Sequence, residues 1–477
     1  MDYEVVIGLE VHAELATKSK IFCGCKNEFG GEPNTHCCPV CSGHPGVLPV
    51  LNRQAVEYAV KAGLALNCQI QRFSKFDRKN YFYPDLPKAY QISQFDLPFC
   101  KDGFLDVRAG EKTSRVRINR IHLEEDAGKL VHSEWGSGTL VDYNRCGVPL
   151  IEIVTEPDMR SPEEALAFLE QLKSILKYSG VSDCKMEQGS LRCDVNLSLR
   201  PFGQAEFGVR SEMKNVNSLS AAFRAMNYEI KRQAKLLDEG KPVEQETRRW
   251  DDQKGMSFVM RTKEDAHDYR YFPEPDLVPV VLEQDYIESL RASLPELPAA
   301  RQARYLKEYG LSEYDAGQLV AEKEVSDFFD ACAALCPDKK EVCNWVLGEV
   351  LRKRKEAGEE SPVPLRPEGL AALLALYREG RISQKTARDV FETMWATGED
   401  PAAIVEREGL TQNNDAGELG GLVRELVDQN PQAVKDFLGG NTKAMAFFVG
   451  QVMKATKGKA NHKLVNELLQ KELESRR

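Results

Sequence analysis

Glu10, His12 and Glu14 recur at every second position of a stretch whose intervening positions, Leu9, Val11 and Ala13, are apolar or small. Alternate side chains of a strand point to opposite faces, so a single strand face would carry all three ionisable groups. The same habit returns in His122-Leu-Glu-Glu-Asp126, which holds Glu124 and Glu125, in Arg192, Asp194, Asn196 and Ser198, and in Arg210, Glu212 and Lys214. Carboxylates disfavour strands, so their repetition calls for a reason. Hard oxygen ligands with an occasional imidazole suit Mg²⁺, which binds through few carboxylates together with nucleotide phosphates. Neighbouring Lys and Arg would neutralise a transferring phosphoryl group. The plain alternative is a set of solvated sheet faces with paired charges.

A second constellation is built from sulfur. Cys23-Gly-Cys25 is followed, after twelve intervening residues, by Cys38-Pro-Val-Cys41, with Cys37, His36 and His44 beside them. Two short knuckles can set four thiolates at tetrahedral zinc distances, and four thiolates close the shell, which makes the expected Zn²⁺ structural. The alternative is free thiols in a loop. The remaining cysteines (68, 100, 146, 184, 193, 332, 336 and 343) are scattered and read as small buried apolar residues. Thirteen is an odd count in a long charged chain, which favours reduced thiols and a cytoplasmic location.

These groups need a scaffold. The 477 residues suffice for roughly three domains. With no run of 18 apolar residues, no membrane span is expected, and the opening residues predict no signal peptide. Period-two patterning predicts strands near 5–11, 115–121, 150–156, 191–199 and 208–216, and helices at 161–178 and 219–237 interrupt them. This is an α+β domain over 1–293. Ser293-Leu-Pro-Glu-Leu-Pro298 reads as a linker. A helical domain is expected over 294–400, with helices at 299–309, 316–336, 340–355, 369–379 and 383–397, and a small helical tail domain over 401–477. The net charge is −10, yet residues 441–477 carry +5, leaving −15 on the rest. A basic terminal segment on an acidic body permits RNA as a partner, although a solvated helix face would look the same. There is no G-x-x-x-x-G-K-[ST] and no nucleophile elbow, so any phosphoryl chemistry must rest on carboxylate-bound metal on a sheet.

The stretch Val141-Asp-Tyr-Asn-Arg-Cys-Gly-Val-Pro-Leu-Ile-Glu-Ile-Val-Thr-Glu-Pro-Asp-Met159 closely resembles the B-subunit family of the tRNA-dependent amidotransferases. So do Val6-Ile-Gly-Leu-Glu-Val-His12, Lys75-Phe-Asp-Arg-Lys-Asn-Tyr-Phe-Tyr-Pro-Asp85, Glu187-Gln-Gly-Ser-Leu-Arg-Cys-Asp194, Asp268-Tyr-Arg-Tyr-Phe-Pro-Glu-Pro-Asp276 and Gly450-Gln-Val-Met-Lys-Ala-Thr-Lys-Gly-Lys-Ala460. The resemblance implies a β-rich cradle similar in fold to glutamine synthetase, then an all-α domain and a helical tail that hold tRNA. It implies ATP- and Mg²⁺-dependent phosphorylation of the side-chain carboxylate on Glu-tRNA(Gln) or Asp-tRNA(Asn), followed by amidation. Ammonia would come from a partner amidase A subunit, and a small C subunit would complete the heterotrimer. The chain has no Ser-Ser-Lys amidase motif of its own.

Strand geometry and the resemblance together select Glu10, His12, Glu125 and Glu212 as catalytic, with Glu10, His12 and Glu125 holding Mg²⁺. Lys79, Glu124, Glu152, Asp194 and Lys214 follow as contacts to nucleotide, metal or channel. Cys23, Cys25, Cys38 and Cys41 fit the zinc knuckle that some members carry. Two other readings stand beside this one: a non-catalytic tRNA-binding scaffold, and a zinc-ribbon DNA-binding protein, which the acidic cradle disfavours.

Overall fold

The computed structural model describes residues 3–132, 138–262, 268–358, 361–439, 443–456 and 458–476. Of the basic tail residues, Lys457, Arg477 and the side chain of Lys443 lie outside the described set. The chain divides into two compact units, Met1–Ala300 and Arg301–Arg477.

The first unit is organised by a nine-stranded sheet. Its strands in chain order are β1 (Tyr3–Glu14), β2 (Gln69–Ile70), β3 (Cys100–Ala109), β4 (Lys112–Glu125), β5 (Pro149–Thr155), β6 (Leu191–Pro201), β7 (Ser211–Val216), β8 (Glu246–Asp251) and β9 (Met256–Thr262). In space they run β9-β8-β7-β6-β1-β5-β4-β3-β2, all antiparallel neighbours except the parallel pair β7–β8. β1 is central, and the alternation read from it holds: Ile7, Leu9, Val11 and Ala13 are buried, while Glu10, His12 and Glu14 lie on the other face. The buried face continues through Ile151 and Ile153 of β5 and Cys193, Val195 and Leu197 of β6. Three helices cover it: α1 (Arg53–Ala65), α2 (Pro162–Tyr178) and α3 (Leu219–Asp238). α2 starts where its residues demand. Ser161 Oγ accepts the Glu164 N–H, Pro162 opens the first turn, and the buried Glu164 carboxylate accepts from Lys112 Nζ at 2.6 Å and the Arg160 N–H at 2.8 Å.

One irregularity decides which carboxylates face the site. The β5–β4 register slips between Val154 and Thr155, opposite residues 118–120. Val116 and Ile118 point inward before the bulge, and Ile121 and Leu123 after it. A bulge inserts one residue and so flips the side-chain parity of the residues beyond it. His122 and Glu124 thereby join the polar face of β1. Glu125 shares the parity of Ile121 and Leu123 and turns the opposite way. A small three-stranded sheet, Asp77–Asn80 between Tyr90–Ser93 and Phe272–Pro273, packs beside the end of β4.

The boundary of this unit lies beyond the expected 293. Leu294 and Leu297 pack against its core, so the Pro-rich stretch is anchored rather than a free linker. In the second unit one apolar core spans Tyr305 to Val405 and another Leu419 to Leu473. The helix Pro401–Arg407, expected in the tail domain, contributes Ile404 and Val405 to the first of these, so the division between cores falls after it and not at 400. The helix expected over 316–336 is two, Glu313–Val320 and Lys323–Leu335, separated by an extended Glu322. A π turn at Val346–Val350 interrupts the next.

Candidate active site on the polar face of the large sheet

Cross-strand pairing assembles two acidic groups from residues far apart in the chain. His12 stands directly across from Glu152 of β5, and Glu152 across from His122 of β4. His12 Nε2 lies 3.5 Å from Glu152 and 3.6 Å from Glu124. His122 Nε2 lies 3.0 Å from Glu152 and 3.4 Å from Glu124, and Ser93 Oγ donates to Glu124 at 3.2 Å. His12, Glu124 and Glu152 can each offer a ligand atom within 4.8 Å of the others.

The second group lies on the other side of β1. Glu10 pairs across with Asp194, and Asn196, across from Glu212, donates to Glu10 at 2.9 Å. Lys214 bridges Asp194 and Glu212, with Nζ 3.0 Å from the latter, and Thr247 Oγ1 donates to Glu212 at 2.7 Å. Glu10, Asp194 and Glu212 also bring ligand atoms within 4.8 Å of one another.

Charge and burial set the protonation of these groups. Burial raises Glu10, and the carboxylates of Glu152 and Glu212 push it further, so Glu10 feels both groups. Burial opposes charge on His12 and His122, but Glu152 and Glu124 together outweigh it and raise both, His122 to about 9. Burial likewise opposes ionisation of Glu124 and Glu152, yet the imidazoles hold both below the usual carboxylate range. Glu14, further along the same face, is pushed up to about 7 by burial and by Asp126.

Other expected residues surround this centre. The Lys79 ammonium lies 4.8 Å from the Tyr269 ring centroid and 5.8 Å from that of Tyr81, and among the described residues no carboxylate pairs with it. Burial and then the Glu124 charge raise the phenols of Tyr81 and Tyr271, so both feel the charge of the first group. A cavity of about 240 Å³ opens beside Glu10, lined in part by Gly8, Asn196, Ser198, Phe207 and Arg210. Glu125 joins neither acidic group. Its carboxylate is ion-paired to Lys88, whose Nζ is 2.6 Å from Oε2, and accepts the Ile92 N–H at 2.9 Å. It borders a separate cavity of about 260 Å³ shared with Cys41, Lys88 and Tyr90. Glu125 therefore does not meet Glu10 and His12, and those two residues do not share a group: His12 joins Glu124 and Glu152, and Glu10 joins Asp194 and Glu212. His122, Asn196 and Thr247 are additional contacts: His122 opens the His-Leu-Glu-Glu-Asp stretch and Asn196 shares the strand face of Asp194, whereas Thr247 carried no signal in the sequence.

The four cysteines meet as their spacing requires. Ligand atoms of Cys23, Cys25, Cys38 and Cys41 lie within 4.8 Å of one another, with 3.9 Å between the sulfurs of Cys38 and Cys41. A tetrahedron with Zn–S bonds of about 2.3 Å has S···S edges of roughly 3.8 Å, so the donor set fits zinc. Cys41 is drawn down to about 4, first by its hydrogen bond with Cys23, while Cys25 is pushed up to about 11 by burial. Cys37 stands outside the group, its thiol bonded to the Asn34 carbonyl.

Comparison with known proteins gives the arrangement a family. The GatB/GatE catalytic domain matches residues 5–288 and the GatB domain residues 327–473. The B subunit of the aspartyl/glutamyl-tRNA(Asn/Gln) amidotransferase of Caldicellulosiruptor bescii is 59% identical over 478 residues, covering 99% of this chain and 100% of that protein. Its counterparts in Thermoanaerobacter pseudethanolicus and Brevibacillus brevis are 57% and 56% identical over 474 residues, covering 99% of this chain and 100% and 99% of theirs. With a catalytic-domain match over more than half its length and such identity along nearly all of it, the chain belongs to the family of aspartyl/glutamyl-tRNA(Asn/Gln) amidotransferase B subunits.

Proposed function

We propose that this chain is the activating subunit of an ATP-dependent amide ligase. It phosphorylates the side-chain carboxylate of glutamate or aspartate misattached to tRNA(Gln) or tRNA(Asn), and ammonia then displaces phosphate. The observation that carries this reading is the pair of acidic groups, three ligands each, side by side on one sheet face. Carboxylates packed this closely repel one another, and cations would relieve that repulsion.

Both donor sets fit Mg²⁺: hard oxygens in each, with the His12 imidazole in one. Bound there, magnesium would screen the nucleotide phosphates so that an anionic carboxylate can approach the γ-phosphorus. The protein's own groups do the remaining work. Lys214 holds Asp194 and Glu212, His122 holds Glu124 and Glu152, and Lys79 offers an ammonium to phosphoryl oxygens. The cavity beside Glu10, with the Phe207 ring and Arg210, has the chemistry to take the nucleotide. A carboxylate is a poor electrophile because oxide would have to leave; phosphorylation makes the leaving group phosphate. The acyl phosphate also hydrolyses readily, so ammonia delivered from a partner amidase to a site shielded from water limits waste. Glu125 and Lys88 line the side cavity in this scheme and hold no magnesium.

The fold reading extends to a cradle of the glutamine synthetase kind, with the helical domains and basic tail holding tRNA and the small C subunit completing a heterotrimer. Zinc at Cys23, Cys25, Cys38 and Cys41 is structural. All thirteen cysteines are free, which suits the reducing cytoplasm. No described helix is long and apolar enough to cross a membrane.

The test uses the chain co-expressed with its amidase and small partners, supplied with Glu-tRNA(Gln), ATP, Mg²⁺ and either glutamine or ammonium chloride. Glu10→Gln should lose tRNA-dependent ADP release and amide formation together, with tRNA affinity retained. Unchanged amide formation in that variant would refute the site. Tight tRNA binding with no ATP turnover by the wild type would leave the non-catalytic scaffold.

A further inference from the structure

Lys20 is fully buried, with no exposed surface. Its chain is held by backbone and side-chain bonds: its N–H donates to the Cys25 carbonyl at 3.0 Å, and Asn52 Nδ2 donates to its carbonyl at 3.3 Å. Gly147 is in the left-handed region (φ +78°), and a Cβ there would stand 3.7 Å from Lys20 Cδ and 3.4 Å from Cys41 Cβ, so the lysine stem and the cysteine share one tight wall. Among the described residues no carboxylate pairs with the Lys20 ammonium. Its one polar partner among those residues is the Cys41 sulfur, at 3.7 Å.

A buried ammonium with no counter-charge is among the costliest groups a protein can hold. Neutral thiols would leave Lys20 in that state. Four thiolates around a divalent cation carry a net charge of 2−, and that charge is what the ammonium needs. Cys41 is also the sulfur best supplied with donors, since the Cys38 N–H points at it from 3.1 Å as well. We propose that Lys20 is the built-in counter-cation of the Cys23/Cys25/Cys38/Cys41 metal centre: its ammonium donates to the Cys41 thiolate, lowers the net charge of the buried group to 1−, and thereby raises the affinity for the metal. The inference rests on the zinc reading of this cluster and leaves the ATP chemistry aside. Lys20 is a positioning residue, as it reaches the metal only through Cys41.

The experiment is performed on the full chain, with zinc affinity read by competition against a chromophoric chelator and zinc content by mass spectrometry. Lys20→Met keeps the stem and removes the charge, and it should bind zinc roughly 10- to 100-fold more weakly, the range for losing a group that supports a metal ligand. Co²⁺ loaded into the same variant should show a shifted thiolate-to-cobalt charge-transfer band, a response that a change in packing remote from sulfur does not produce. Lys20→Arg keeps the cation and should retain more zinc than Lys20→Met. Zinc affinity and cobalt spectrum unchanged in Lys20→Met would overturn the proposal. If Lys20→Met proves insoluble, soluble zinc-replete Lys20→Arg supports the charge, whereas insolubility of both assigns the lysine to packing and overturns it. Wild-type protein that binds no zinc, with its ATP chemistry intact, would reject the zinc reading without touching the active site.

Discussion

Replacing Glu152 by Gln perturbs the first acidic group at its centre, because Glu152 is the carboxylate nearest to His122 and faces His12 across the pair of strands. His122 is raised from 6.5 to about 9, against burial, with the Glu152 charge the largest cause. At 1.36 kcal/mol per pH unit this corresponds to roughly 3 kcal/mol of interaction in the metal-free protein, shared between Glu152 and Glu124. A histidine raised in the folded state contributes stability that is complete below its unfolded value of 6.5 and disappears as pH climbs through about 9. Wild-type protein in EDTA should therefore lose stability progressively across that window, and Glu152→Gln should lose much less. The assay is denaturant unfolding between pH 6 and 9.5, together with the imidazole C–H resonance of His122 followed by NMR. In Glu152→Gln the midpoint of that resonance should fall well below 9, stopping above 6.5 because the Glu124 bond at 3.4 Å remains. A His122 midpoint that stays near 9 in the variant would mean that Glu152 does not hold the imidazolium.

Three further outcomes are expected. Glu124→Gln should abolish tight Mn²⁺ binding measured by electron paramagnetic resonance, while Glu125→Gln, at a residue paired to Lys88 on the other side of the strand, should leave it intact. Glu164→Gln should destabilise the first unit by about 1.5–3 kcal/mol in chemical denaturation, the range for hydrogen bonds to a charged group; because Lys112 and the Arg160 N–H hold this carboxylate low, that contribution is present above 4.5 and vanishes as the pH drops below it. Removing residues 412–477 should raise the KM for charged tRNA more than it lowers glutaminase activity of the assembled complex, as read in parallel steady-state assays.

Much of the scaffold was legible because its rules are local. The alternation in β1 places Glu10 and His12 on one face without any knowledge of its neighbours. The N-cap and first turn of α2 could be read from Ser161, Pro162 and the two glutamates. The meeting of Cys23, Cys25, Cys38 and Cys41 follows from knuckle spacing alone. What stayed hidden depends on pairing. The choice between Glu124 and Glu125 turns on a bulge near residue 119, which exists only because β4 meets β5 out of step. Glu152 became central through its place opposite His12, a relation between residues 140 positions apart. Helices over 316–336 and 340–355 were read as continuous because apolar periodicity carries on across Glu322 and the π turn, where backbone geometry breaks. Lys20 gave no signal at all, since a lone lysine in a loop is ordinarily solvated.

In the proposed function, two acidic groups on the polar face of the large sheet form the phosphoryl-transfer centre. The most direct measurement is anomalous diffraction from crystals of the complex soaked with Mn²⁺ and a non-hydrolysable ATP analogue. Manganese is expected at His12, Glu124 and Glu152 and again at Glu10, Asp194 and Glu212, with nucleotide density running to the cavity beside Glu10. Manganese at Glu125 and Lys88 with both acidic groups empty, or nucleotide bound elsewhere, would contradict the proposed function.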